Sequence, residues 1–214
     1  MQSNASPSDG PLLPYVSALK DIPTDMPAFP RAYAISSIAY EAGFRWKKAE
    51  QAFKKIGAEL AELKSAVVSR DKENAIEEIG DVLSAIVTLV VFTKMDAAVL
   101  SDIPAVPVER RESGLMTAID ESLSQVGAAI STGNEGHTRQ AMHQLLADIV
   151  AFANSQGIDP EKALQRTNDK FTYRFDAVGA ELHAEGLSMT DLDLPSLVKR
   201  WDKYKLTGRE VIAR

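Results

Sequence analysis

Cysteine is absent from the 214 residues, so the chain can form no disulfide framework and no thiolate metal site, as befits a reducing compartment. A secretory leader is not expected either. The opening "MQSNASPSDGPLLPYV" lacks a basic n-region and an apolar h-region, and its Ser, Pro, Gly and Asn content reads as a flexible arm over residues 1–16. Long hydrophobic runs are missing. The most apolar stretch, Val82 to Phe92, is too short to span a bilayer, so no membrane partner and a cytoplasmic location are expected. Acidic residues outnumber basic ones, 30 to 24, and the formal net charge of −6 disfavours nucleic acid as a partner. The three histidines, His137, His143 and His183, show no ligand spacing.

Strand signals are also few. What is there instead is helical: long segments rich in Ala, Leu, Glu and Lys with apolar positions recurring at three and four. Helices are expected over Pro30–Tyr40, Lys47–Val68, Glu73–Phe92, Leu115–Ser131 and Thr138–Ser155. A sixth runs from an Asp159 cap and Pro160 to about Ala184, where Gly186 stops it, and a seventh covers Ser196–Leu206. Prolines three apart in "SDIPAVPVERRESG" mark residues 101–114 as a linker between a module at 17–100 and a second part at 115–214. The fold class is all-α, an antiparallel helical bundle.

One helix begins oddly. "AIEEIGDVLSAIVTLVVF" places Glu77, Glu78 and Asp81 at the head of its apolar run. Glu78 and Asp81 stand three apart and share a face, as do Glu59 and Glu62 on the preceding helix. About the turn at "SRDK" the two pairs mirror each other: Glu62 and Glu78 are equally far from Arg70, and so are Glu59 and Asp81. In an antiparallel hairpin equal distance from the turn means equal height, so four carboxylates converge if both pairs face inward. Acids at that spacing also decorate solvated faces, and acids near a helix start suit its dipole. Here, however, Leu60, Leu63, Ile79 and Leu83 beside them are expected to be buried. Desolvated carboxylates repel unless compensated. An oxygen-only ligand set suits Mg2+, with Mn2+ as a substitute, and leaves room for water and substrate phosphates.

"ELAEL" followed by "EEIGDVL" resembles the acidic motif of the MazG-type nucleoside triphosphate pyrophosphohydrolases. The likeness extends to "SALKDIPTDMPAFPRAYAISSIAYEAGFRW", to "ALQRTNDKFTYRF" and to "GLSMTDLDLPSLVKRWDKYK". The resemblance implies an all-α, Mg2+-dependent enzyme that splits a nucleoside triphosphate between the α- and β-phosphates. It implies Glu59, Glu62, Glu78 and Asp81 as metal ligands, and Asn168, Lys170 and Arg174 as polar contacts to the nucleotide. Glu59 or Glu62 would position the attacking water. Trp46 is read equally as a staple against the core and as a stacking surface for a nucleobase, and Trp201 as core packing. Narrower dUTP- or dCTP-type pyrophosphatases and a catalytically weak nucleotide- or metal-binding protein are the alternatives.

Where family members have a short connection, about sixty residues lie between the third helix and Asp159. "QLLADIVAF" echoes "EEIGDVLSA", with Asp148 at the place of Asp81. "AIDESLSQVGAAI" echoes "KIGAELAELKSAV", setting Ser122 against Glu59 and Gln125 against Glu62. A second hairpin turning about Glu135, descended from the first and keeping one acid of four, is the expectation. It would pack on the first as a pseudo-dimer within one chain, and a homodimer is the other assembly expected.

Overall fold

A computed structural model describes residues 18–100 and 112–205. The expected arm at 1–16, most of the expected linker 101–114 and the last residue of the expected closing helix, Leu206, lie outside those residues. The described chain is an all-α bundle of α1 (Ala28–Glu41), α2 (Ala49–Ser69), α3 (Lys72–Phe92), α4 (Glu112–Thr132), α5 (Glu135–Ser155), α6 (Pro160–Ala184) and α7 (Leu194–Asp202). Short 3-10 turns at Ala97–Leu100 and Met189–Asp191 were not expected.

Local chemistry sets the helix ends. Asp71 caps α3 by accepting from the Asn74 amide, and Asn134 caps α5 by accepting from that of His137. Asp159 accepts from the amides of Glu161 and Lys162 at the head of α6, where Pro160 has no donor to leave unsatisfied. Gly186, at φ 72°, takes the left-handed conformation that ends α6. Helix α7 begins at Leu194, ahead of the expected Ser196, because Asp193 caps it through the Ser196 amide.

Helix α3 is the axis of the bundle and packs against α2, α6, α1 and α5. That position explains its composition: Ile79, Val82, Leu83, Val87, Leu89 and Val90 are fully enclosed. The two hairpins α2–α3 and α4–α5 share one apolar cluster, which reaches the start of α6 at Ala163 and Leu164. A smaller cluster joins α1, α6 and α7 through Ile35, Phe175, Leu182 and Leu197. Gly80 lets α3 and α6 touch. A Cβ there would sit 2.5 Å from the Ala163 carbonyl oxygen and closer still to the Thr167 hydroxyl.

The second hairpin turns at Gly133 and Asn134, and Glu135 is already the first residue of α5. The expected centre at Glu135 is therefore displaced, because the Asn134 side chain opens the helix before it.

Candidate metal centre

The α2–α3 hairpin packs Leu60, Leu63, Ile79 and Leu83 to 2% exposure or less, as the apolar stripes require. The same packing turns the neighbouring acids inward. Carboxylate oxygens of Glu59, Glu78 and Asp81 lie within 4.8 Å of one another, with Glu59 and Glu78 buried and Asp81 half-buried. Glu62, one turn along α2 from Glu59, is exposed and lies outside this trio, although its charge still acts on Glu78.

Helix α6 closes the site from the other side. Thr167 donates its hydroxyl to Asp81 Oδ1 at 2.9 Å. The buried Lys170 ammonium lies 3.0 Å from Glu77 Oε1 and 3.4 Å from Asp81 Oδ1. On the α2 side Lys55 pairs with Glu59 one turn away. Glu78 is served by neither lysine, and its Oε2 is buried with no hydrogen-bond partner. Burial, then the charges of Asp81, Glu62, Glu59 and Glu77, push its carboxyl up to about 7.

The balance of charge is what makes the site chemically interesting. Five carboxylates act here, and among the described residues the ammonium groups of Lys55 and Lys170 touch them. A hard divalent cation fits the donor set. It would neutralise the surplus, give the orphaned Glu78 oxygen a partner, and take oxygen ligands only.

The remaining candidates from the sequence fall into different surroundings. Asn168 is buried, and its amide donates to the Ala28 carbonyl at 2.9 Å, tying α6 to the head of α1. Arg174 lies over the Trp201 ring, 5.9 Å from its centroid. Trp201 itself packs against Phe44 and Phe171, in agreement with the core role expected of it. Trp46 is half-buried against the larger apolar cluster. Of the expected nucleotide contacts, Lys170 reaches the acids directly. Three members of the site went unremarked in the sequence as chemistry: Lys55, Glu77 and Thr167. Each leaves a helical signature, since Lys55 precedes Glu59 by four, Glu77 precedes Asp81 by four, and Thr167 precedes Lys170 by three.

Comparison with known proteins adds relatives to this geometry. Over 87 residues the chain is 33% identical to the nucleoside triphosphate pyrophosphohydrolase of Escherichia coli, a match covering 41% of this chain and 32% of that protein. It is 33% identical over 76 residues to uncharacterized protein YabN of Bacillus subtilis, covering 36% of this chain and 16% of YabN. A likeness at 25% identity runs over 189 residues, 88% of this chain and 48% of the nucleoside triphosphate pyrophosphohydrolase/pyrophosphatase MazG of Thermotoga maritima. The chain therefore spans less than half the length of each of these relatives. No family model matches the chain, and no solved structure does.

Proposed function

We propose that the protein is a nucleoside triphosphate pyrophosphohydrolase of the MazG type, with Mg2+ held by Glu59, Glu78 and Asp81 and with Glu62 joining through the outer side. The observation that carries this reading is the convergence of three carboxylates, two of them buried, around an unpartnered Glu78 oxygen. The names of the Escherichia coli and Thermotoga maritima relatives support the substrate class.

In the reaction, a water oxygen joins the α-phosphorus, the bond from that phosphorus to the α–β bridging oxygen breaks, and pyrophosphate leaves with that oxygen. Bound cations supply neutralisation of the phosphate oxygens whose charge grows in the transition state. The chain's own part is positioning. Glu59 or Glu62, on successive turns of α2, orients the water and accepts its proton. Thr167 holds Asp81 in one rotamer by its hydroxyl. Lys170 keeps Glu77 and Asp81 apart from full mutual repulsion and faces the incoming phosphates.

Pyrophosphate release from a panel of ribo- and deoxyribonucleoside triphosphates, with Mg2+ and with EDTA, tests the proposal. Cation-dependent release of pyrophosphate together with the monophosphate is expected, and Asp81→Asn is expected to abolish it. Orthophosphate as the product, or equal inactivity on every nucleotide, would refute it.

A further inference from the structure

We infer that the α4–α5 hairpin occupies the place that a second copy of α2–α3 would take, and that it carries no cation centre of its own, so that one chain holds one centre. The inference rests on the cation reading above for its second half, and on packing alone for its first.

The two hairpins match element by element. All four helices are 21 residues long, and each helix of the second hairpin begins and ends 63 residues after its counterpart: 49 and 112, 69 and 132, 72 and 135, 92 and 155. Both turns have two residues. The first of each is left-handed, Arg70 at φ 57° and Gly133 at φ 67°. The second is an Asx cap that accepts from the amide three residues on. Burial follows the same register, with Ile56 and Ile119, Leu63 and Val126, Val82 and Leu145, and Leu89 and Phe152 all enclosed.

The hairpins also meet as two halves do. The Phe53 ring lies against Gly127, and Lys64 pairs with Asp120. Rising residue numbers on α2 thus meet falling ones on α4. A two-fold operation through the middle of both helices carries Phe53 onto Met116 and Gly127 onto Lys64, one turn from the observed Lys64–Asp120 pair.

At this register the four acids of the first hairpin correspond to Ser122, Gln125, Ala141 and Gln144. None is a carboxylate. Asp148, which the sequence echo set beside Asp81, instead corresponds to Ala85 and lies one turn farther along α5, where Gln144 donates to it at 3.0 Å. Ser122 Oγ is turned to its own helix, at 3.1 Å from the Ile119 carbonyl. The second hairpin keeps the apolar face that covers α2–α3 and lacks the repulsion that calls for a cation.

Counting Mn2+ sites on the full chain by electron paramagnetic resonance, beside the mass by sedimentation equilibrium, tests both halves. One class of tight sites is expected. Glu78→Gln is expected to remove it, with a loss of about tenfold or more in affinity. Asp148→Asn is expected to leave number and affinity within about twofold, and the mass to be that of one chain, 23.3 kDa. A tight class surviving Glu78→Gln would overturn the inference, as would a loss in Asp148→Asn equal to that in Glu78→Gln. Should Asp148→Asn not fold, Glu78→Gln decides alone. A wild type without any tight Mn2+ would sink the cation reading, and with it the claim of one centre per chain. The packing half would then be judged by mass: a single chain upholds it, and a dimer whose dissociation unfolds the chain refutes it.

Discussion

At Glu78 burial and four neighbouring negative charges act in the same direction. Its carboxyl takes up a proton more readily in the folded chain than in the unfolded one. The resulting contribution to stability is fully present below the ordinary glutamate value, and is lost as pH rises through about 4.5 to about 7. Glu78→Gln is therefore expected to raise the stability of the cation-free protein at pH 8 by roughly 1–3 kcal/mol and to change it little at pH 4. Thermal melts in EDTA at the two pH values check this. Lys170 offers the opposite case. Replacing it by Met leaves Glu77 and Asp81 facing each other, so Lys170→Met is expected to destabilise the cation-free chain by roughly 1–3 kcal/mol. Saturating Mn2+ is expected to recover most of that loss. A lysine that only touched nucleotide would leave both melts unmoved. At this scale the convergence of Glu59, Glu78 and Asp81 was legible in residue spacing about a turn, whereas Glu62, the mirror of Glu78, stays exposed outside the trio. Lys55 and Glu77 were not, because a charged pair at i and i+4 reads the same on a solvated face as beside a buried cluster.

Among elements, the helices themselves were the easiest to read. Caps such as Asp71 and Asp159 act within one turn, so their effect is local in sequence. The register of the second hairpin was harder. Pairing its apolar echoes by side-chain likeness placed Asp148 one turn away from its structural position, because Leu, Ile, Val and Ala alternate similarly at steps of four. Only the two-residue turn at Gly133 and Asn134 resolves that ambiguity. The contact of α3 with α6 leaves a subtler mark, a glycine inside a helix. Gly80→Ala is expected to push the helices apart, since the added carbon meets backbone at Ala163. A loss of about 1–3 kcal/mol is expected, together with weaker Mn2+ binding, because Thr167 would move away from Asp81. Gly127→Ala is expected to cost less, since there the obstacle is the tip of the Phe53 ring. Chemical denaturation of the two variants side by side checks the order.

For the molecule as a whole, α1 and α6 each contribute to both apolar clusters and so bind the bundle that carries the acidic trio to the α7 end. Sequence periodicity showed that these helices have apolar faces. It could not show that α6 serves two partners at once, since that depends on how its first half meets one cluster and its second half the other. Beside the apolar contacts of Leu197 and Trp201, the α7 end is also held by charged groups. Arg200 reaches Glu181 and Glu185 at 2.7 Å, and Lys203 and Tyr204 also meet Glu181. Much of this knot faces solvent, where dissolved ions compete with it. In half-molar sodium chloride, deuterium uptake by the amides of residues 194–205 is expected to quicken severalfold while those of α3 stay slow. The closing helix would then work as an ionic hasp, loosened by brine while the interior stays shut.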